Sequence, residues 1–231
     1  MKTIVRKNEL SNIEYEPEKN AHSVYINKDG KAVPSVTTII KLVNKPALMN
    51  WSNWLGMQGQ SYNQYMKKAA YIGTCVHEII ECKLLGKKFE LKEPHTWFLE
   101  VPTYIENFLA WYEDNEIIPI KIEEKMVTDR FGGTCDLYCE FDGKKTILDI
   151  KTSKSVYSTM FIQLAGYVIL KELQGESVEQ VGILTVNKKE AYVTLMTRDE
   201  LDIYIDTFHK LVDSFHGIYQ LTEIHGWQKI V

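Results

Sequence analysis

Apolar residues in the first half of the chain recur mostly at helical spacing, and in the second half they alternate in runs bounded by Gly and Asp. The chain opens with a short hairpin: Val24-Tyr25-Ile26 and Lys31-Ala32-Val33 flank Asn27-Lys28-Asp29-Gly30, where Asp-Gly supplies the turn. Helices are expected over residues 35–43, 46–55 and 61–85, the last with a break near Gly73 and a stop at Gly86. Phe98, Tyr104, Ile105, Phe108, Leu109 and Tyr112 give one face of a further helix over 96–115. The period then drops to two. Ile118, Ile120 and Ile122 alternate, and the same parity continues through Glu124 and Met126. Gly132-Gly133 and Asp142-Gly143 bound strands over 134–141 and 144–151. A helix over 157–173 precedes strands 181–186 and 191–196, and Thr197 caps a last helix with Asp199 and Glu200 in its first turn. The order predicts an α/β fold, an α+β mixed sheet flanked by helices.

The hairpin 134–151 holds the chemistry. If Asp142-Gly143 is a two-residue turn, Phe141 pairs with Lys144 and Asp136 falls opposite Asp149. Directly opposed residues have Cβ atoms roughly 4.5–5.5 Å apart, so two carboxylates there repel unless a cation offsets them. Hard oxygen ligands at that separation suit Mg²⁺ or Mn²⁺. Lys151 leaves the strand on the same face as Asp149, giving acid, acid and lysine together, a hydrolytic arrangement. Exposed acids on an edge hairpin are the competing reading. Ile147, Leu148 and Ile150 around Asp149 argue instead for an interior strand, where unpaired acids are costly.

Other residues add to this set. Gln163 and Tyr167 share one helix face, with Ala165-Gly166 between them small enough to let that helix pack closely on a sheet. His77 and Glu81, at i and i+4, offer an imidazole ligand and an acid to orient it or bind metal. Glu124 inherits the parity of the Ile118/Ile120/Ile122 face and is a candidate additional acid; a register slip or bulge would put Glu123 there instead. For nucleic acid, Lys144, Lys145 and Lys154 cluster around the hairpin, and Lys188-Lys189 sits in a neighbouring turn. Trp51 and Trp54, with Tyr62 and Tyr65, could stack bases, with core packing the alternative of equal weight for the two tryptophans.

Composition sets bounds on these readings. With 45% hydrophobic and 25% charged residues the chain is an ordinary globular protein, not a disordered or disulfide-framework one. Its 27 Lys+Arg against 31 Asp+Glu leave a net charge of −4, which argues against a passive DNA coat and confines nucleic-acid contact to local patches. Cys75, Cys82, Cys135 and Cys139 form no C-x-x-C pair and read as reduced, mostly buried thiols. Residues 1–10 lack the apolar run of a signal peptide, and no segment has a membrane span's run of apolar residues, so no membrane association is expected. No linker divides the chain. It reads as one domain over 1–231: a hairpin and mainly helical part to 115, a sheet with the Gln163/Tyr167 helix over 116–196, and a last helix and tail over 197–231.

Six motifs in order carry a family resemblance: Pro34-Ser35-Val36-Thr37-Thr38-Ile39-Ile40, Leu48…Trp51, Gly73-Thr74-x-x-His77, Gly132-Gly133-Thr134-x-Asp136, Asp149-Ile150-Lys151 and Gln163-x-x-x-Tyr167. Over residues 33–170 the chain resembles RecB-like nucleases of the PD-(D/E)XK superfamily, with phage-type exonucleases and the mitochondrial genome maintenance exonuclease as the nearest in pattern. The resemblance implies a mixed sheet flanked by helices, with His77, Asp136 and Asp149 as metal ligands joined by the backbone carbonyl of Ile150. It implies Lys151 as the catalytic lysine, with Gln163 and Tyr167 supporting the site and the nucleic acid. Asp149 stands where many members carry Glu, which changes reach rather than chemistry. No cysteine follows Cys139, so the iron–sulfur cluster of some relatives is not expected, and no Walker motif marks a helicase motor.

The expectation is therefore a Mg²⁺- or Mn²⁺-dependent DNA exonuclease, and the resemblance alone implies its setting, phage or bacterial recombination, replication or repair in the cytoplasm. Its substrate would be single-stranded DNA or a duplex end, with a recombination or replication protein as candidate partner. Three alternatives stay open: a structure-specific or restriction-like endonuclease, a non-catalytic nucleic-acid-binding module, and a structural α/β domain with coincidental motifs.

Overall fold

A computed structural model of the chain describes residues 25–44, 46–91 and 94–225; Val24, expected in the first hairpin, lies outside them. The opening hairpin is short, Tyr25–Ile26 (β1) paired antiparallel with Ala32–Val33 (β2). The helices Val36–Ile40 (α1), Pro46–Met57 (α2) and Tyr62–Leu84 (α3) follow, and α3 runs unbroken through Gly73. The helix expected from residue 96 begins as a 3-10 turn at Thr96–Glu100, and regular helix starts only at Val101–Asp114 (α4), with Pro102 in its first turn.

Five strands form the central sheet in chain order: Ile117–Val127 (β3), Gly132–Phe141 (β4), Lys144–Lys151 (β5), Gln180–Val186 (β6) and Ala191–Thr197 (β7). All neighbours are antiparallel except β5 and β6, which run parallel because the helix Ser158–Leu173 (α5) carries the chain back between them. The β4–β5 turn is the expected two-residue one, with Asp142 and Gly143 both at positive φ and Phe141 opposite Lys144. Thr197 and Glu200 cap each other: the Thr197 N–H and hydroxyl donate to Glu200 at 2.9 and 2.8 Å. Regular helix nevertheless begins one turn later than expected, at Asp202–His225 (α6).

Each sheet face buries its own cluster. Val36, Ile39, Phe161, Leu164, Val168, Phe208 and Val212 place α1, α5 and α6 on one face, against Ile147, Val181 and Ile183. Val76, Ile80, Val101, Phe108 and Trp111 place α3 and α4 on the other, against Leu137, Cys139, Leu148 and Leu184. Cys75, Cys135 and Cys139 are buried. Gly166 does not face the sheet as expected. A Cβ there would come within 2.9 Å of Phe208 on α6 and Val36 on α1, so the small residue serves contact between helices. Among the described residues no helix is long and apolar enough to cross a membrane.

The parity expected for β3 fails. Ile118 and Ile120 are 52% and 38% exposed, while Ile117 and Ile122 pack against the core. Pairing with β4 runs Pro119↔Cys139 and then Lys121↔Tyr138, so Ile120 is an extra residue that shifts the alternation by one.

Candidate metal centre

That bulge is followed by a second irregularity four residues upstream of Val127. Of the ladder pairs Ile122↔Leu137 and Glu124↔Cys135, the first lies toward α3 and α4, and in the second Cys135 packs toward α5 and α6. Both strands therefore change face between these pairs, at Glu123 and Asp136, and Glu123 adopts φ +50° to do so. The consequence is a correction for Glu124. It leaves the site and meets Lys171 of α5 at 2.9 Å, an ammonium that is itself buried and lies 4.2 Å from the Tyr138 ring centroid. Glu123 takes the place expected for Glu124. This is the alternative that a slip or bulge in β3 provides, and neither the bulge nor the positive φ has a signature in residue type that would have decided it.

Glu123 meets Asp136 and His77 of α3, and one ligand atom from each lies within 4.8 Å of the others. His77 Nδ1 is 3.6 Å from Asp136 Oδ2. That same oxygen accepts a hydrogen bond from the Ile150 backbone N–H at 2.8 Å. The β4–β5 ladder ends at Leu137↔Leu148, so Asp136 and Asp149 are next in register but are not a closed ladder pair. Asp149 is 1% exposed. Its Oδ1 accepts from Gln163 Nε2 at 3.1 Å, and the Lys151 ammonium lies 2.5 Å from its Oδ2. Gln163 Nε2 also donates to Tyr167 Oη at 2.8 Å, so the i, i+4 pair on α5 acts as one bracket over the strand. Tyr167 approaches this closely because residue 133 is glycine: a Cβ there would lie 2.8 Å from the Tyr167 ring. Glu81 lies near enough to add to the negative field on Glu123 without joining the cluster.

The electrostatics fit a bound cation. Burial, then Asp136, Glu81 and Asp149, push the Glu123 carboxyl up to about 8. Burial likewise raises Asp149, against the opposing pull of Lys151. Burial by itself would lower Lys151, but Asp149 and Asp136 outweigh it and hold the ammonium above its ordinary range, so it stays charged at neutral pH. Burial and the two aspartates keep the Tyr167 phenol neutral. An imidazole and two carboxylates whose ligand atoms converge can coordinate a divalent cation.

The raised Glu123 carboxyl has a measurable effect. A divalent cation bound there would have to displace this proton below pH 8, so divalent-cation affinity, measured with Mn²⁺ as the probe, is expected to fall from pH 8 to pH 6 by up to about tenfold per unit, with proton release on binding. Calorimetry in two buffers of different ionisation enthalpy counts that proton. Without metal the sign reverses. A carboxyl raised in the folded state favours folding at acid pH, and that contribution is lost as pH rises from 4.5 to about 8.

The remaining expected residues divide. Lys154 follows Lys151 in the loop after β5 and is exposed. Lys144 and Lys145 start the strand instead, roughly 20 Å from Lys151 at ~3.3 Å per residue, so the hairpin does not gather them at the site. Lys145 lies 3.7 Å from Glu140 there. The double change Lys144→Ala/Lys145→Ala is expected to leave any metal-dependent cleavage within about twofold, read by initial rates at low salt. Trp51 packs edge-on against Tyr62 and Tyr65, whereas Trp54 is 53% exposed. These rings belong to α2 and the first turns of α3, where Met49, Met57 and Met66 are also exposed. From Lys31 to His77 the sequence has five lysines and no acid, a local reversal of the chain's net negative charge. Beside the cluster a cavity of about 240 Å³ is lined by Tyr25, Ser35, Thr37, Glu123, Thr134 and Tyr167. Ser35 bridges to Gly132, which brings the N-terminal hairpin and α1 to the site's rim.

No family model matches the chain, and no curated protein sequence does either. Among solved structures it is similar to SSO0001, at 14% identity over 75% of this chain and 73% of that one, with a TM-score of 0.34. It is similar to a protein of Eubacterium rectale provisionally assigned as an exonuclease, at 13% identity over 68% and 69% of the two chains, TM-score 0.45. It is also similar to the alkaline exonuclease LHK-Exo of Laribacter hongkongensis, at 9% identity over 65% and 84%, TM-score 0.33. At these identities and TM-scores the likeness carries no argument about chemistry, which must come from the side chains of this chain.

Proposed function

We propose that the chain is a divalent-metal-dependent deoxyribonuclease of the PD-(D/E)XK type, acting as an exonuclease in phage or bacterial DNA recombination, replication or repair. The observation that carries this reading is the meeting of His77, Glu123 and Asp136 next to the Asp149–Lys151 pair at one end of the sheet. His77, Glu123 and Asp136 would hold Mg²⁺ or Mn²⁺, with Asp149 and the Ile150 carbonyl completing the set. Bound there, the cation supplies Lewis acidity toward a phosphoryl oxygen and a bound water of lowered pKa. The rest is the chain's own work. Lys151 keeps its proton, so it serves as a fixed positive charge for the non-bridging phosphate oxygens rather than as a base. Gln163, held by Tyr167, fixes Asp149 Oδ1. The acid-free segment from Lys31 to His77, with Trp54 and Tyr65 exposed, offers cations and π-faces to a nucleic-acid strand. A cytoplasmic setting and a recombination or replication partner follow from the same reading.

End-labelled linear single-stranded DNA, incubated with the protein and Mg²⁺ or Mn²⁺, should lose its label, and EDTA should prevent this. A circular single strand should survive, since an exonuclease needs an end. Cleavage of the circle would make the enzyme an endonuclease. No cleavage of any DNA by folded, metal-loaded protein would leave a nucleic-acid-binding module as the better account.

A further inference from the structure

Among the described residues two buried side-chain atoms make no hydrogen bond of good geometry: Asp149 Oδ2, which is ion-paired with the Lys151 ammonium, and Thr185 Oγ1. Asp149 lies two residues back on the same strand. Thr185 is the ladder partner of Lys151 on the parallel strand β6. Ile147 on β5 and Ile183 on β6 pack toward α5, while Leu184 and Val186 pack toward α3 and α4. By alternation Asp149, Lys151 and Thr185 therefore share the α5 face, on strands roughly 4.8 Å apart. Thr185 is 0% exposed, so water from the bulk does not reach its hydroxyl. An ammonium carries three donors, and that of Lys151 is committed to the Asp149 carboxylate.

We propose that Thr185 is a positioning residue for Lys151, the second seat of its ammonium. The inference rests on the metal reading above. Were a cation to draw on the Asp149 carboxylate, the Lys151 ammonium would lose part of that partner and would donate to Thr185 Oγ1 instead. The hydroxyl keeps Lys151 on the site face, aimed at the phosphate, and offsets the loss of its carboxylate partner. Thr185 thereby sets both cation affinity and the placement of the fixed charge.

The test is Mn²⁺ calorimetry on the intact wild-type chain, Thr185→Val, Thr185→Ser and both hydroxyl states in a Lys151→Met background, with steady-state cleavage alongside. Thr185→Val should weaken Mn²⁺ about tenfold, the scale of one hydrogen bond to a charged group, and lower kcat while KM holds. Thr185→Ser should restore both. In the Lys151→Met background Val should change nothing, because the group it acts through is gone. Equal Mn²⁺ affinity for wild type and Thr185→Val, or an undiminished effect of Val without Lys151, would overturn the proposal while leaving the metal site intact. A wild-type chain that binds no Mn²⁺ would overturn the metal reading and this inference together. Thr185→Ala gives the same contrast should the valine variant not fold.

Discussion

Asp136→Asn is expected to lower metal-dependent cleavage by roughly a thousandfold or more, while the metal-free protein is at least as stable as wild type. A thousandfold corresponds to about 4 kcal/mol of barrier. The two halves of this expectation come from different atoms. Asparagine keeps an oxygen that can accept from the Ile150 N–H, so the backbone contact at 2.8 Å survives. What it removes is a negative charge that crowds Glu123 and Asp149 and that a cation needs. Relief of that crowding favours the metal-free fold by up to ~1 kcal/mol and brings the Glu123 carboxyl back toward its ordinary range. Thermal melts with and without Mn²⁺, beside the cleavage assay, separate the outcomes. A melting temperature lowered by several degrees without metal would make Asp136 a structural residue first.

Lys151→Met is expected to act in the opposite way, lowering both activity and stability, with a stability loss that depends on pH. Methionine keeps the apolar stem but leaves Asp149 buried without its cation. Breaking a buried pair costs about 3–5 kcal/mol where the remaining charge cannot escape. Asp149 can escape by taking a proton, since burial already raises its carboxyl and Lys151 was the main opposing influence. A carboxyl raised in the folded state contributes stability at low pH that is lost as pH climbs from its unfolded value through its folded one. Removing Lys151 moves the folded value further up. The deficit should therefore be near its full size at pH 8.5 and shrink toward pH 5.5, as urea midpoints at the two pH values will record. A deficit that does not change with pH would mean that Asp149 is not the group left exposed to the loss. Cleavage should fall about a hundredfold, the scale of one fixed charge at a developing negative centre.

Local chemistry explains what could be read in the sequence. Asp142-Gly143 fixed the β4–β5 register because both residues accept positive φ, and that register places Asp136 and Asp149 at one level. Gln163 and Tyr167 meet because residues four apart on a helix must. The misreadings are equally specific. Regular alternation points to Glu124, but Ile120 is an extra residue and the irregularity at Glu123 reverses the faces, so of the two acids it is the bulge alternative, Glu123, that reaches the cluster. Lys144 and Lys145 are neighbours of Asp149 in sequence but occupy the other end of an extended strand. Lys171 of α5 is 1% exposed, a burial made tolerable by Glu124 and the Tyr138 ring, and nothing in the local sequence marks that pairing. Tertiary pairing decides such positions, and no local pattern encodes it.

The left-handed backbone at Glu123 carries a consequence for how this protein can be improved. Glutamate is poorly suited to φ +50°, a conformation that costs a side chain with a Cβ about 1–2 kcal/mol and glycine almost nothing. Selection for stability alone would therefore favour Gly or Asn at this position, and each such gain would delete a carboxylate from the cluster. Variants that are hardier and less active should accumulate at residue 123 in any screen that rewards heat resistance without also demanding catalysis.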